Sequence, residues 1–380
     1  MQVAPANQFS LYQGFRYHGV EFIRSVAMKI ALLHPPLGEI SGGNLYNRNI
    51  LHQARLCRFP LHSVTVSAID RERLAEWQKN YELLIWDSLF WRELAGMAET
   101  LKDSPGCLLC HYLPSLNPLA AACDRAVWRE TECRAIESMR FVIPTGQAVF
   151  DEIQERFPSK SVGLCEPGID EAFKPEPVQK NTSTIVQFLT VANLLPEKGY
   201  LDILHSLAGL TEWSWRWRFC GSDGVDAEFT QRFWRSADEL NLLDRIHYEG
   251  VLTSEKISDL MRVSDVFVSA SHYESYGIAL AEAAAMRLPI VSSETGAAGQ
   301  IVQHGVNGFL FVAGDVDALR VYLARLISEK KLRRRFREQQ CFEGRSWGQC
   351  FTIFERLCKE ACNYSAHAVG WCQALISKDA

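Results

Sequence analysis

Short apolar runs separated by amphipathic stretches recur along the whole chain. Lys29 to Leu33 (KIALL) opens the series and reads as a buried parallel strand. Pro35-Pro36 and Ser41-Gly42-Gly43 follow, then a helical stretch from Leu45. Strand, glycine loop and helix in that order open a βαβ unit. Further strands are predicted at 63–66, 83–86, 107–110 and 141–143, with the clearest helices at 124–138 and 148–156. Such alternation implies a parallel sheet with helices on both faces.

The pattern then breaks and restarts. Residues 171–183 are polar, carry Pro175 and Pro177, and read as a linker. A strand is predicted at 185–191, then the loop Pro196-Glu197-Lys198-Gly199, then a helix near 201–210. In 215–219, Trp215, Trp217 and Phe219 alternate with Arg216 and Arg218, the mark of a half-buried strand whose aromatic stripe belongs to the core. Strands are also expected at 246–248, 266–269, 289–292 and, after a turn at Asn307-Gly308, at 309–312; the tail from Val316 reads mainly as helices. The expected organisation is an extension (1–27), a first α/β domain (28–170), the linker (171–183), a second α/β domain (184–350) and final helices (351–380) that return to the first.

Composition narrows the function classes. A chain of 380 residues with 47% apolar residues can fill two cores. Its formal net charge of -5 argues against nucleic acid as the main partner, since phosphate binding needs a basic surface. No apolar run reaches the about 18 residues of a spanning helix. The first 27 residues lack the unbroken apolar core of a signal peptide, so the 12 cysteines are expected to be reduced, in the cytoplasm. Cys107-Leu-Leu-Cys110-His111 has the spacing of a c-type haem attachment, but without export it reads as a buried strand ending at a histidine. No second ligand pair at finger spacing follows, so zinc is not expected there.

The densest chemistry lies in Ser271-His-Tyr-Glu274-Ser275-Tyr276-Gly277-Ile278-Ala-Leu-Ala-Glu282-Ala-Ala-Ala-Met286. A strand leads through a loop holding Glu274 into a small-residue helix that carries Glu282 two turns in. The free N–H groups of such a helix start receive phosphate readily. A carboxylate among alanines needs a partner, and the adjacent hydroxyls of a ribose could supply one. On spacing alone, two helix-surface acids explain the pattern equally well.

The surrounding sequence resembles glycosyltransferase family 4, the retaining GT-B enzymes. Glu274, Gly277 and Glu282 fit its pattern of two acids eight positions apart with a glycine three after the first. The resemblance runs on through Arg287-Leu-Pro289-Ile-Val291, Gly296, Gln300 and His304-Gly-Val-Asn307-Gly308-Phe-Leu310. Upstream, Leu194-Leu-Pro-Glu-Lys198-Gly199, Phe219-Cys-Gly221-Ser and Ile246-His-Tyr-Glu-Gly250 fall in family order, and Ser346-Trp347 resembles its motif near the last helices. It spans about residues 28 to 350 and is strongest from 185 to 312.

That resemblance implies two Rossmann-like domains facing each other across a cleft, an acceptor domain first and a nucleotide-sugar donor domain second. Lys198 would hold the donor diphosphate, Glu282 would accept from the ribose, and Glu274 would contact the transferred sugar, with Ser275, Tyr276, Gly277 and Ile278 assisting. Gly42 and Gly43 would admit the donor to the backbone, and His111 resembles the family's cleft histidine. Glu274, His111 and Lys198 are therefore the expected catalytic groups. Asn193, expected at the donor, stands where the family often has Arg, and Gln300 where it often has Glu. The implied reaction moves a sugar to a glycan, lipid-linked or small-molecule acceptor with retention. No metal or other cofactor is expected, because Lys198 supplies a countercharge.

Two other readings stay open: a GT-B nucleotide-sugar epimerase, and a non-catalytic nucleotide-sugar binding homologue. A dinucleotide dehydrogenase is disfavoured, because no Gly-x-Gly-x-x-Gly follows the first strand. The basic run Lys330-Lys331-Leu-Arg333-Arg334-Arg335-Phe-Arg337 suits either weak peripheral contact with anionic lipid or a solvated helix face. The helix spacing of Glu329 and Arg333 favours the second.

Overall fold

The computed structural model describes residues 29–38, 41–67, 69, 71–102, 104, 106–175, 184–340 and 342–376, with side chains as far as residue 363. The expected extension 1–27 and linker residues 176–183 lie outside the described residues.

Strands β1 (Ile30–His34), β2 (Leu61–Thr65), β3 (Leu83–Asp87), β4 (Gly106–Cys110), β5 (Phe141–Pro144) and β6 (Ser161–Val162) form one sheet in the order β2-β1-β3-β4-β5-β6. Strands β7 (Val186–Val191), β8 (Trp215–Cys220), β9 (Ile246–Tyr248), β10 (Val266–Ser269), β11 (Ile290–Ser293) and β12 (Gly308–Phe311) form a second, in the order β12-β11-β10-β7-β8-β9. Every strand pairing in both sheets is parallel. Strands β1, β3, β4 and β5 are buried at every residue, as sheets covered on both faces require. Strand order reverses between β1 and β3 in the first sheet and between β7 and β10 in the second. Open α/β sheets place ligands beyond the carboxyl ends of strands at such reversals.

Cys107 and Cys110 face opposite sides of the first sheet and join different hydrophobic clusters. Burial raises both thiols well above their ordinary value. They form a strand interior and no joint ligand pair. Trp215, Trp217 and Phe219 are core residues, packed with Tyr200 and Phe233.

The last helix, Trp347–Ile376, covers the first sheet: Trp347, Phe351, Phe354 and Leu357 pack against Ile30, Leu32, Ile85 and Leu109. Ser346 starts this helix with a capping box, its Oγ accepting from Gln349 N while Gln349 Oε1 accepts from Ser346 N. The chain thus passes between the halves twice, and the two passages pair. Ile169 N donates to Arg345 O at 2.8 Å, Ile169 bridges Ser346, and Glu166 Oε2 lies 2.8 Å from Arg345 Nη2.

Two local expectations change. The helix expected from Leu45 spans Gly42–Leu56, because Ser41 Oγ accepts from Asn44 N and draws both glycines into the first turn. The expected Glu329–Arg333 pair is replaced by Arg325–Glu329 at 3.1 Å. Arg333 instead donates to Leu326 O and Ile327 O, and Arg337 to Ser264 O. Arg334 pairs with Glu338, so much of the basic run on Lys330–Glu338 is engaged within the protein. Among the described residues, no helix is long and apolar enough to cross a membrane.

Candidate active site

A cavity of about 950 Å³ lies between the carboxyl ends of the two sheets. Its walls include every residue singled out for the site: Gly42, Gly43 and His111 from the first half, and Asn193, Lys198, Glu274, Ser275, Tyr276, Gly277, Ile278 and Glu282 from the second. Gln300 is exposed and does not line it. The halves touch at its edge, where the rings of Tyr112 and Tyr273 lie 5.0 Å apart. A Cβ on Gly146 would fall 2.0 Å from Ser275 O, so that backbone contact requires glycine.

Lys198 ends the turn Pro196–Lys198 beyond β7. Gly199 follows with φ of 67°, and a Cβ there would meet Ala270 O at 1.9 Å, so only glycine fits. His272 N donates to Glu197 O at 2.8 Å, tying this turn to the loop after β10. On that loop, Glu274 Oε1 lies 2.6 Å from Lys198 Nζ and accepts from Ser271 Oγ at 2.9 Å. The groups expected at the diphosphate and at the transferred sugar of a donor are therefore an ion pair here.

Gly277, with φ of 96°, turns the chain into the helix Ile278–Ala285, which has no acid in its first turn and no side-chain cap. Its opening N–H groups remain available to an anion. Glu282, one turn on, is 6% exposed, and no hydrogen bond to its carboxylate forms among the described residues. Burial, and secondly the charge of Asp170, push its pKa up to about 8. Asn193 Oδ1 accepts from Ser222 N at 2.9 Å.

Across the cavity, His111 stands just past β4. Asn47 Nδ2 donates to Asp87 Oδ2 at 2.6 Å, which leaves Asn47 Oδ1 to accept from His111 Nε2 at 3.1 Å. His111 Nε2 also lies 3.5 Å from Asp87 Oδ2, and Nδ1 lies 3.5 Å from Thr145 Oγ1. This network places the imidazole proton on Nε2 and leaves Nδ1 as an acceptor. Asp87 is fully buried. Burial opposes its ionisation, yet His111 and the hydrogen bonds from Leu89 N and Asn47 outweigh it and hold the carboxyl below its ordinary value. A Cβ on Gly43 would lie 3.1 Å from His111 Cδ2, so this glycine makes room for the ring. Behind the loop, Ser115, Glu132 and Arg156 form a buried network, with Glu132 2.7 Å from Arg156 Nη1.

Sequence reasoning missed Asp87, Asn47, Thr145 and Asp170. Asp87 carried a readable signal: a carboxylate ending the apolar run Leu83-Leu-Ile-Trp86, where parallel strands present ligands. Asn47 is read only once the helix is placed against β3. Among the described residues, no group of three or more His, Cys, Asp or Glu is arranged to hold a metal ion.

Residues 171–340 match the family model described as glycosyl transferases group 1. The chain is 30% identical over 186 residues to glycogen synthase of Mycobacterium tuberculosis, covering 47% of this chain and 43% of that one. It is 26% identical over 220 residues to D-inositol 3-phosphate glycosyltransferase of Corynebacterium efficiens, covering 56% and 51%. The chain thus spans about half the length of these curated relatives, or less. Among solved structures, sucrose-phosphate synthase of Thermosynechococcus elongatus superposes with TM-score 0.68 at 18% identity, over 88% of this chain and 98% of that one. HepE of Anabaena, in complex with UDP and glucose, gives TM-score 0.68 at 17% identity, over 88% and 99%. The chain has the GT-B fold, two Rossmann-like α/β domains facing each other across a cleft, and matches glycosyl transferases group 1 over residues 171–340.

Proposed function

We propose that this chain transfers a sugar from a nucleotide-sugar donor to an acceptor held in the same cleft, with retention at the anomeric carbon and without a metal. One observation carries the reading. Lys198, Glu274, Glu282 and an uncapped helix start converge beyond the strand reversal of the second sheet, facing His111 across the cavity. The HepE structures with UDP and UDP-glucose support a donor of that class.

In this reading, Lys198 and the N–H groups of 275–278 hold the diphosphate, and Glu282 accepts from the ribose hydroxyls. Breaking the sugar–phosphate bond places negative charge on the departing diphosphate and oxocarbenium character on the sugar. Lys198 and the helix start stabilise the first by preorganised electrostatics. The donor draws Lys198 toward its phosphates, and Glu274 is released to the sugar hydroxyls. The acceptor attacks from the face the diphosphate leaves, and a departing phosphate oxygen takes the acceptor proton. Glu274 orients the sugar and forms no covalent bond to it. His111, with Nδ1 available, contacts the sugar or acceptor from the other wall.

A thermal-shift screen of nucleotide-sugar donors tests the reading, since a ligand bound only by the folded state raises stability by mass action. Donors that bind are then incubated with acceptor pools, following nucleotide release and product. Binding without turnover would favour the non-catalytic reading, which one observation supports: Asn193 occupies a family arginine position, and its Oδ1 is committed to Ser222 N. Donor isomerisation without transfer would favour the epimerase.

A further inference from the structure

The helix Gly42–Leu56 runs along the first-half wall of the cavity. Ser41, Leu45, Arg48, Asn49 and His52 all line the cavity, at the spacing that puts them on one helix face. Arg48 and His52 are exposed within it, and Arg55 extends the same strip by a turn. The helix sequence GGNLYNRNILHQARL contains no acid, so no carboxylate stands one turn away from Arg48. Three exposed arginines on other helices do pair at that spacing: Arg325 with Glu329, Arg334 with Glu338 and Arg356 with Glu360. Among the described residues, Arg48 forms no ion pair.

Among the described residues, the acids that line the cavity, Asp170, Glu197, Glu255, Glu274 and Glu282, all come from residue 170 onward. In the first half, the nearby Asp87 is fully buried behind Asn47 and His111 and does not line the cavity. The two walls therefore differ in kind. On one, Lys198 is neutralised by Glu274. On the other, Arg48 is a cation without a counter-charge among the described residues, in a concave site whose walls concentrate its field.

We propose that this wall is a subsite for an anionic group of the acceptor, a phosphate or a carboxylate, with Arg48 as its counter-charge and His52 as a neighbouring hydrogen-bond donor. The word acceptor rests on the function proposed above; the anion site rests on the wall itself. The planar guanidinium fork matches both groups in a two-point contact.

The test uses the full chain saturated with UDP, so that the Lys198 end is filled. Methyl phosphate, acetate and the neutral control glycerol are titrated in turn, and binding is followed by ligand-observed NMR. Wild type, Arg48→Gln and Arg48→Lys are compared, with UDP affinity measured separately for each. Saturable binding of an anion but not glycerol is expected, weakened by about tenfold in Arg48→Gln, the loss of one charge-assisted contact. Arg48→Lys should retain part of the affinity, and UDP affinity should be equal in all three. The tighter of methyl phosphate and acetate identifies the group. Equal anion affinity in wild type and Arg48→Gln, or no saturable binding in wild type, overturns the proposal. If UDP itself fails to bind, the donor reading falls; the same titrations without nucleotide still judge Arg48 through its variants.

Discussion

Lys198 Nζ and Glu274 Oε1 lie 2.6 Å apart, joining the turn after β7 to the loop after β10 across the strand reversal of the second sheet. Each residue is about one-fifth exposed on its side chain, so the pair is screened only in part. In the reaction proposed above, a donor diphosphate competes with Glu274 for this lysine.

That competition predicts opposite effects on nucleotide binding. Lys198→Gln should weaken UDP binding. Glu274→Gln removes the competitor and should leave UDP affinity unchanged or raised. Turnover of Glu274→Gln with full donor should nevertheless fall, by about 100-fold or more if the contact acts mainly in the transition state. Calorimetry with UDP and steady-state kinetics decide it; reduced UDP affinity in Glu274→Gln would place this residue wrongly.

Glu282 yields a prediction with a definite sign. Its folded pKa of about 8 lies above the ordinary 4.5, so the folded state keeps a proton that the unfolded chain has released. Stability tied to this group is fully present below 4.5 and is lost as pH rises toward 8. Glu282→Gln escapes that loss. Its Tm advantage over wild type should therefore grow between these values and level off above them. Melting curves across the range check it, and an advantage that shrinks with rising pH would refute it.

Binding should move the other way in the same variant. Above about pH 8, where this carboxyl is ionised, Glu282→Gln should weaken UDP binding by about 1–3 kcal/mol, the range for a hydrogen bond to a charged group. A kcat effect larger than the effect on donor KM would instead bring this residue close to the reacting bond.

Asp87 predicts the reverse pH dependence. Its carboxyl is held below its ordinary value, so its contribution is present above the ordinary carboxylate range and lost as pH falls through the lowered value. Asp87→Asn should be less stable than wild type near neutrality, and the two should converge in acid. Urea titrations at several pH values test this.

The two glycines of the first helix should respond differently to alanine. Both sit in the first turn, where alanine is favoured over glycine by up to about 1 kcal/mol. A Cβ on Gly42 meets Ile278 Cδ1 only at 4.0 Å, whereas one on Gly43 presses His111 at 3.1 Å. Gly42→Ala should keep or raise Tm in the ligand-free protein. Gly43→Ala should displace His111, lowering turnover without lowering UDP affinity.

Most of this architecture was legible because buried parallel strands are short apolar runs, as KIALL shows, and half-buried ones alternate, as the Trp215 strand does. The two-residue strand Ser161–Val162 offered no such run. Glu274, Glu282 and Lys198 were legible because they sit in local blocks beside strand ends. The Asp87–Asn47–His111 network was not, since its members lie 40 and 64 positions apart and meet only when the first helix packs beside β3 and β4. The Lys198–Glu274 bond, across 76 positions, was hidden for the same reason. The start of the first helix was misplaced because a serine cap outweighs the ordinary reading of two glycines as loop.

The last helix has a consequence for synthesis. Tyr46 packs against Trp347 with ring centroids 5.7 Å apart, and Phe59 meets Phe351 at 5.7 Å. The first half leaves the ribosome first, yet one face of its sheet is covered only in part, by Tyr46, Ile50, Leu51 and Ala54 of the first helix, until Trp347, Phe351, Phe354 and Leu357 have been made. The second half can close its own core before then. Translation order and completion order are therefore inverted. A nascent chain stalled before Trp347 would present a folded carboxyl-terminal unit beside an unfinished amino-terminal one, with apolar surface open to chaperones or to aggregation.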